Sequence, residues 1–272
     1  MTPSLAAVIP SRNGLKLLQR LLPVLLEEGL GEIVVVDDNS EDDTVEFVRR
    51  SYPGVRLISR SGPPGFCHAV NLGMAEASSE MLLLLNNDVM PEGGCLSGMA
   101  SMLDGSQKRV AVVVPRITRP DGTDDGSYQW GFRRGLAFTA PGAGHSYPSG
   151  ACALWRKSAW ISLKGLSSRY APIYWEDADL GARLAGSGMS MSRFSGPGVF
   201  HDHGATMGVS LESQVLRERN RFIFMDSWCS TPAMRFSTLA WLPVHMLTSA
   251  LKGNPAFVMG YRSYRKWKHG SR

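Results

Sequence analysis

The sequence predicts an α/β fold, a doubly wound and mostly parallel sheet followed by a C-terminal helical extension. Three observations predict it. Short continuous apolar runs recur along the first 114 residues, segments of helical period lie between them, and polar clusters follow directly on three of the runs.

The elements follow in order. Residues 5–10 form a buried strand closed by Pro10. Residues 15–28 carry apolar side chains at 15, 17, 18, 21, 22, 25 and 26, near helical period, with Gly29 as the stop and Pro23 as a candidate kink. Residues 33–36 are the second strand. Ser40 is placed to cap a helix over residues 41–50, whose first turn (Glu41, Asp42, Asp43) suits the helix dipole. Residues 55–59 are the third strand, 62–65 (Gly-Pro-Pro-Gly) a loop, and 69–77 a helix; Met81–Leu85 and Val110–Val114 are the fourth and fifth strands. Residues 115–149, rich in Gly, Pro, Asp and aromatics, show no clear period and read as an irregular insertion. Regular pattern returns at 151–155. Residues 177–186 and 208–228 read as helices, and 236–260 as an apolar stretch broken by Pro243 and Pro255.

With 43% hydrophobic and 19% charged residues the chain supports a sizeable core and is not globally disordered. Cys67, Cys95, Cys152 and Cys229 are widely spaced, without a CxxC pair, so neither a zinc site nor a redox motif is indicated. No signal peptide and no run of 18 apolar residues is seen, so the expected location is cytoplasmic, without a transmembrane helix. The net charge of +5 is unevenly placed: no acidic residue follows Asp226, whereas seven Lys and Arg do, leaving residues 1–226 at −2. The organisation read from this is a main domain over 1–226 and a basic, apolar helical extension over 227–272. Such a tail favours polyanions, and peripheral contact with an anionic membrane is one expectation for it; a packed helix with a solvated basic end is the other. The net-negative body argues against nucleic acid as a partner.

The polar clusters carry the chemistry. In a doubly wound sheet ligands bind beyond the carboxyl ends of the strands. There stand Pro10-Ser11-Arg12-Asn13-Gly14, Asp37-Asp38-Asn39-Ser40 and Asn86-Asn87-Asp88. Neither GxGxxG nor GxxxxGK[ST] occurs, so phosphates must be held by other means, with a metal as neutraliser. Asp37 and Asp38 repel phosphate and suit a base N–H or a ribose hydroxyl; equally, the acidic run could only cap a helix. Asp88, after four leucines, offers a hard oxygen to Mg²⁺ or Mn²⁺. A second ligand is needed, and the candidates are His201 and His203, of which only one can face a shared ion on an extended segment. In Tyr174-Trp175-Glu176-Asp177-Ala178-Asp179, helical spacing sends Glu176 and Asp179 to one side and Asp177 elsewhere. A carboxylate beside Trp and Tyr loses solvation and becomes a better proton acceptor, although acids at a helix start also serve the dipole.

Together these segments resemble family 2 glycosyltransferases of the GT-A fold. They run in the family's order from Val8-Ile9-Pro10-Ser11-Arg12-Asn13 and Val35-Val36-Asp37-Asp38-Asn39-Ser40, through Gly65-Phe66 and Asn71-Leu72-Gly73, Leu85-Asn86-Asn87-Asp88 and Gly150-Ala151-Cys152, to Trp175-Glu176-Asp177-Ala178-Asp179-Leu180 with Arg183, and His201 with Gly204 and Thr206. The likeness is greatest to bacterial rhamnosyltransferase-like members that build cell-surface polysaccharide. It implies a nucleoside-diphosphate-sugar donor bound by Pro10, Arg12, Asp37, Asp38, Asn39, Asn71 and Asn87. It implies a metal, Mg²⁺ or Mn²⁺, on Asp88 and His201, and Asp177 as the catalytic base of an inverting transfer. Glu176 would support the base, and Trp175 and Asp179 would lie toward a glycan or lipid-linked acceptor. Asn86 replaces the first carboxylate of the family's Asp-x-Asp motif, so the metal is expected to bind weakly without the donor's phosphates. A sugar nucleotidyltransferase would want a Gly-rich basic loop after the first strand, which Ser11-Arg12-Asn13-Gly14 matches poorly. A non-catalytic relative would be expected to lack Asp88 or Asp177.

Overall fold

The computed structural model describes residues 4–202 and 210–270. In chain order the first half holds β1 (Leu5–Ser11), α1 (Leu15–Glu27), β2 (Glu32–Asp37), α2 (Thr44–Ser51), β3 (Arg56–Ser59), α3 (Phe66–Glu76), β4 (Met81–Leu85), β5 (Val89–Pro91), α4 (Cys95–Asp104), β6 (Val110–Val114) and β7 (Ile117–Thr118). Then come β8 (Tyr128–Arg133), β9 (Leu136–Pro141), β10 (His145–Ser146), β11 (Cys152–Arg156), α5 (Lys157–Ser162), α6 (Glu176–Gly186), β12 (Ser190–Arg193), β13 (Val199–His201), α7 (Leu211–Trp228), α8 (Pro232–Leu251) and α9 (Ala256–Gly270).

The main sheet has the order β12-β6-β11-β4-β1-β2-β3 and is parallel throughout except for β11. Strand β11 runs antiparallel because the chain leaves β6 at the carboxyl edge, stays there through residues 115–149, and re-enters from that edge. Alternation along β1 divides the core in two. Ala6 and Val8 face α3 through Val70 and Met74, while Leu5, Ala7 and Ile9 face α1 through Leu18, Leu21, Leu22 and Leu25. Helix α3 lies so close to the sheet that a Cβ on Gly73 would stand 2.4 Å from Val8 Cγ1 and 2.7 Å from Val36 Cγ2.

Three expectations need correction. The acidic segment 41–43 is not the first turn of a helix, which begins at Thr44. Ser40 Oγ accepts the Asn13 N–H at 2.9 Å, Asn13 Oδ1 accepts the Glu41 N–H at 2.7 Å, and Asp42 accepts the Thr44 N–H. These side-chain bonds stitch the loop after β2 to the loop after β1 and compete with helix formation. Residues 115–149 are not irregular: β8 and β9 pair over six residues, with Arg134 (φ 49°) and Gly135 (φ 73°) as a two-residue turn of left-handed backbone. Pro243 does not break α8. Its ring frees the Leu239 carbonyl, and Leu239 faces solvent, which can satisfy that oxygen. The interruption comes at Pro255 instead.

The last helix returns to α7. Phe222 meets Tyr261 at 5.0 Å and Tyr264 at 5.5 Å between ring centroids. Asp226 accepts from Tyr264 Oη at 2.7 Å and from Lys268 Nζ at 2.8 Å. Among the described residues no helix is long and apolar enough to cross a membrane.

Candidate active site

The carboxyl ends of β1, β2 and β4 lie side by side and are tied together by their own polar side chains. Buried Asn87 donates to Ser11 Oγ at 2.9 Å, joining the crests of β4 and β1. Asp37 accepts the Ser40 N–H. Asp38 bridges the end of β3 and the start of α3, accepting from Arg60 Nε and from the Gly65 N–H, both at 2.6 Å. Pro10 is buried on β1 opposite Val36, whereas Asn39 (φ 65°) and Arg12 are exposed, Arg12 lying 3.8 Å from Glu41. The amide of Asn71 is committed elsewhere. Its Oδ1 accepts the Leu166 N–H and its Nδ2 donates to the Leu166 carbonyl, bracing α3 against the turn after α5.

A second, three-stranded sheet, β5-β13-β7, brings His201 to Asp88. Strand β5 begins directly after Asp88, His201 pairs with Val89, and the Asp202 N–H donates to the Asp88 carbonyl at 3.0 Å. The His201 Nε2 stands 3.4 Å from Asp88 Oδ1, and its Nδ1 lies 3.0 Å from Asp125 Oδ2. Burial alone would push the imidazole's pKa down; the hydrogen bonds and charges of Asp125 and Asp88 prevail and raise it to about 9. Arg119 pairs with the other side of Asp125. Sequence reasoning missed Asp125 and Arg119. The only signal was the acidic Asp121-Gly-Thr-Asp-Asp-Gly126 cluster, which no periodicity places in space.

This set suits a hard divalent ion. Asp88 would offer oxygen and His201, after giving up a ring proton, nitrogen, with Asp125 hydrogen-bonded to the far nitrogen of the ring. Buried Asn86 Oδ1, two residues from Asp88, has no hydrogen-bond partner among the described residues. No cluster of three or more His, Cys, Asp or Glu able to hold a metal occurs among the described residues. His203, Gly204 and Thr206 lie outside the described residues.

The other half of the site comes from α6. Trp175 (φ 73°) follows Tyr174 (φ 84°) in left-handed backbone, packs at 4.9 Å on Phe224, and starts the helix. Glu176 and Asp179 turn inward and are buried; Asp177 is half-buried on the other side, as the spacing predicts. The carboxylate of Asp179 is fully engaged by Tyr170 Oη (3.1 Å), Arg183 Nε (2.9 Å) and Trp228 Nε1 (2.9 Å), so it locks α6 onto α7. Asp177 lies over Gly150, where a Cβ would stand 3.9 Å from its own. The next residue, Ala151, accepts the Asn86 N–H at 2.9 Å. Asp177 is therefore beside the crest that carries Asp88. Burial raises its pKa, the backbone N–H groups of Ala178 and Gly150 restrain the rise, and the result is about 6. Glu176, deeper and next to Asp177, is pushed well above the usual carboxylate range by burial and by that neighbour, and its Oε2 has no partner among the described residues.

Helix α7 holds the approach to this turn. Asn220, fully buried, donates through Nδ2 to the carbonyls of Tyr170, Ile173 and Tyr174 at 2.6, 2.8 and 3.0 Å. Arg219 bonds the Ala171 carbonyl, and Arg217 lies over the Tyr174 ring.

With this geometry in hand, the family model for glycosyl transferase family 2 matches residues 6–162, more than half of the chain. The chain belongs to glycosyl transferase family 2. The matched span carries the crests of β1, β2 and β4, while Asp177 and His201 lie beyond it. No curated protein matches the sequence. Several solved structures share the fold of this family 2 member. One is GalNAc-T7 crystallised with UDP, GalNAc and Mn²⁺: TM-score 0.65, 14% identity, covering 84% of this chain and 48% of that one. Another is the mannosyltransferase PcManGT from Pyrobaculum calidifontis in complex with GDP-Man and Mn²⁺: TM-score 0.61, 18% identity, 98% and 83%. A third is S. aureus TarS 1–349: TM-score 0.58, 15% identity, 87% and 70%. The chain thus spans about half the length of the GalNAc-T7 chain. At these identities the likeness is one of fold, and that fold is GT-A.

Proposed function

We propose that this family 2 protein transfers a sugar from a nucleoside-diphosphate-sugar to a hydroxyl of a glycan or lipid-linked acceptor, with inversion, in the building of cell-surface polysaccharide. The reading takes residues 1–226 as the transferase domain, with peripheral contact at the inner membrane face through 227–272. The donor would lie along the crests of β1 and β2, its base and ribose near Pro10, Asp37, Asp38 and Asn39. A divalent ion, Mg²⁺ or Mn²⁺ by analogy with the Mn²⁺ complexes of GalNAc-T7 and PcManGT, would be held by Asp88 and His201. When bound it neutralises charge gathering on the departing diphosphate.

The chain's own chemistry centres on Asp177. Its carboxylate takes the proton of the acceptor hydroxyl as that oxygen attacks the anomeric carbon. The bond from that carbon to the diphosphate oxygen breaks, and its electron pair leaves with the nucleoside diphosphate. Attack from the face opposite the leaving group gives inversion. A pKa near 6 leaves Asp177 ionised at neutral pH yet more basic than an exposed aspartate. Burial and the neighbouring Asp177 push Glu176 well above the usual carboxylate range, which disfavours a second negative charge beside the base.

One juxtaposition carries the reading: Asp177 over Gly150, next to the residue bonded to Asn86 on the crest that ends in Asp88. The test is a panel of nucleotide-sugars with Mn²⁺ or Mg²⁺, read by melting temperature and by slow donor hydrolysis. One donor class should stabilise the chain and do so only with metal. A panel in which none does would overturn the reading.

A further inference from the structure

We propose that α8 and the cleft between α7, α8 and α9 form a docking site for an anionic phospholipid surface, with the outer face of α8 among the acyl chains and Arg235 and Arg265 on the lipid phosphates. This deepens the peripheral membrane contact of the preceding reading, on which it rests, by naming the face and the phosphate site.

The sequence of α8 gives it two faces. Thr238, Leu242, His245 and Ser249 are half-buried or buried on one side. Thr238 and His245 bond the carbonyls of Gly135 and Arg134, so α8 is fixed to the tip of the β8–β9 hairpin. At helical spacing on the opposite side stand Phe236, Val244, Leu247 and Leu251, of which Phe236, Leu247 and Leu251 are 74%, 61% and 79% exposed. An aligned row of large apolar side chains in water marks a surface that something covers.

Charge says what covers it. From residue 227 onward there are seven Lys and Arg and no Asp or Glu. A helix with aromatic and aliphatic side chains on one face and cations at its flanks lies in the plane of a membrane interface. Beside the apolar row opens a cleft of about 500 Å³, floored by Phe222, Leu242 and Tyr261 and rimmed by Arg235, Arg265 and Lys268. Among the described residues the one carboxylate lining it is Asp226, which Lys268 and Tyr264 already occupy. Among the described residues Arg265 is hydrogen-bonded to Tyr261 Oη and His269. The cleft is thus cationic at its mouth and apolar within, the polarity of a phospholipid read from headgroup to chain.

Flotation of the full chain with phosphatidylglycerol–phosphatidylcholine vesicles, against phosphatidylcholine alone, tests the proposal. The chain should float with the first and stay behind with the second. Leu247→Glu with Leu251→Glu, at exposed positions, should abolish flotation. Arg235→Glu with Arg265→Glu should weaken it roughly tenfold or more. Both variants should keep the melting temperature and its rise with nucleoside diphosphate and Mn²⁺. Loss of that rise in the wild-type chain, with flotation intact, would count against the transferase reading alone. No flotation of the wild-type chain, or variants that float like it, overturns the proposal. So does a wild-type dimer in sedimentation velocity that Leu247→Glu with Leu251→Glu dissociates, since a second copy would then cover the face.

Discussion

His201 Nε2 lies 3.4 Å from Asp88 Oδ1, and the opposite ring nitrogen lies 3.0 Å from Asp125. The ring is therefore aimed by Asp125 at the space it shares with Asp88. A carboxylate behind a metal-binding imidazole typically changes metal affinity by about 10- to 100-fold. Asp125→Asn should weaken Mn²⁺ binding in the presence of nucleoside diphosphate by about that factor, measured by calorimetry. Unchanged affinity would remove Asp125 from the site. With only one carboxylate and one imidazole on the ion, binding to the chain without nucleotide should be much weaker, and tight binding there would contradict the two-ligand account.

The pH dependence follows from Asp177. Burial raises its carboxyl to about 6, so the proton-accepting form exists above that value and is lost as pH falls through it. Donor-saturated transfer rates should therefore rise between about pH 5 and pH 7 with unit slope at the acid end. A flat profile across that window, with the chain still folded, would exclude Asp177 as the titrating base.

Asn220 joins stability to catalysis. Its amide is shared by three carbonyls of the segment leading into Trp175 and the base. Asn220→Ala leaves buried carbonyls without a donor and should destabilise the chain by about 1–3 kcal/mol, read from the denaturant midpoint. It should also lower kcat while leaving donor KM unchanged, because the damage falls on the acceptor side.

Gly73 tests the packing of the sheet. A methyl group there would enter the space of Val8 and Val36. Gly73→Ala should cost about 1–3 kcal/mol through overpacking, despite alanine's better helix propensity. A stabilised variant would mean that α3 sits farther from the sheet.

Much of this was legible in the sequence because the β-α repeat is written in local patterns. The apolar runs at residues 5–10, 33–36 and 81–85 form β1, β2 and β4, and the polar residues after them stand on one edge. What local pattern does not encode is direction and partnership. Nothing in Cys152–Arg156 distinguishes an antiparallel strand from a parallel one. The hairpin at 128–141 was hidden because Gly131 interrupts its alternation and its turn is Arg-Gly rather than Asn-Gly. The pairing of His201 with Asp88 depends on β5 and β13, strands of three residues each, too short for any period to register. The acidic motif at 176–179 showed its spacing but not its division of labour. Only the partners of Asp179, namely Tyr170, Arg183 and Trp228, mark it as a brace between helices.

The central claim is that Asp177 is the base that activates the acceptor, and Asp177→Asn tests it most directly. The substitution keeps shape and removes the proton acceptor. Transfer should fall by about a hundredfold to ten-thousandfold, while the nucleotide-sugar, with Mn²⁺, still raises the melting temperature as in the wild-type chain. Transfer near the wild-type rate, with donor binding intact, would contradict the account.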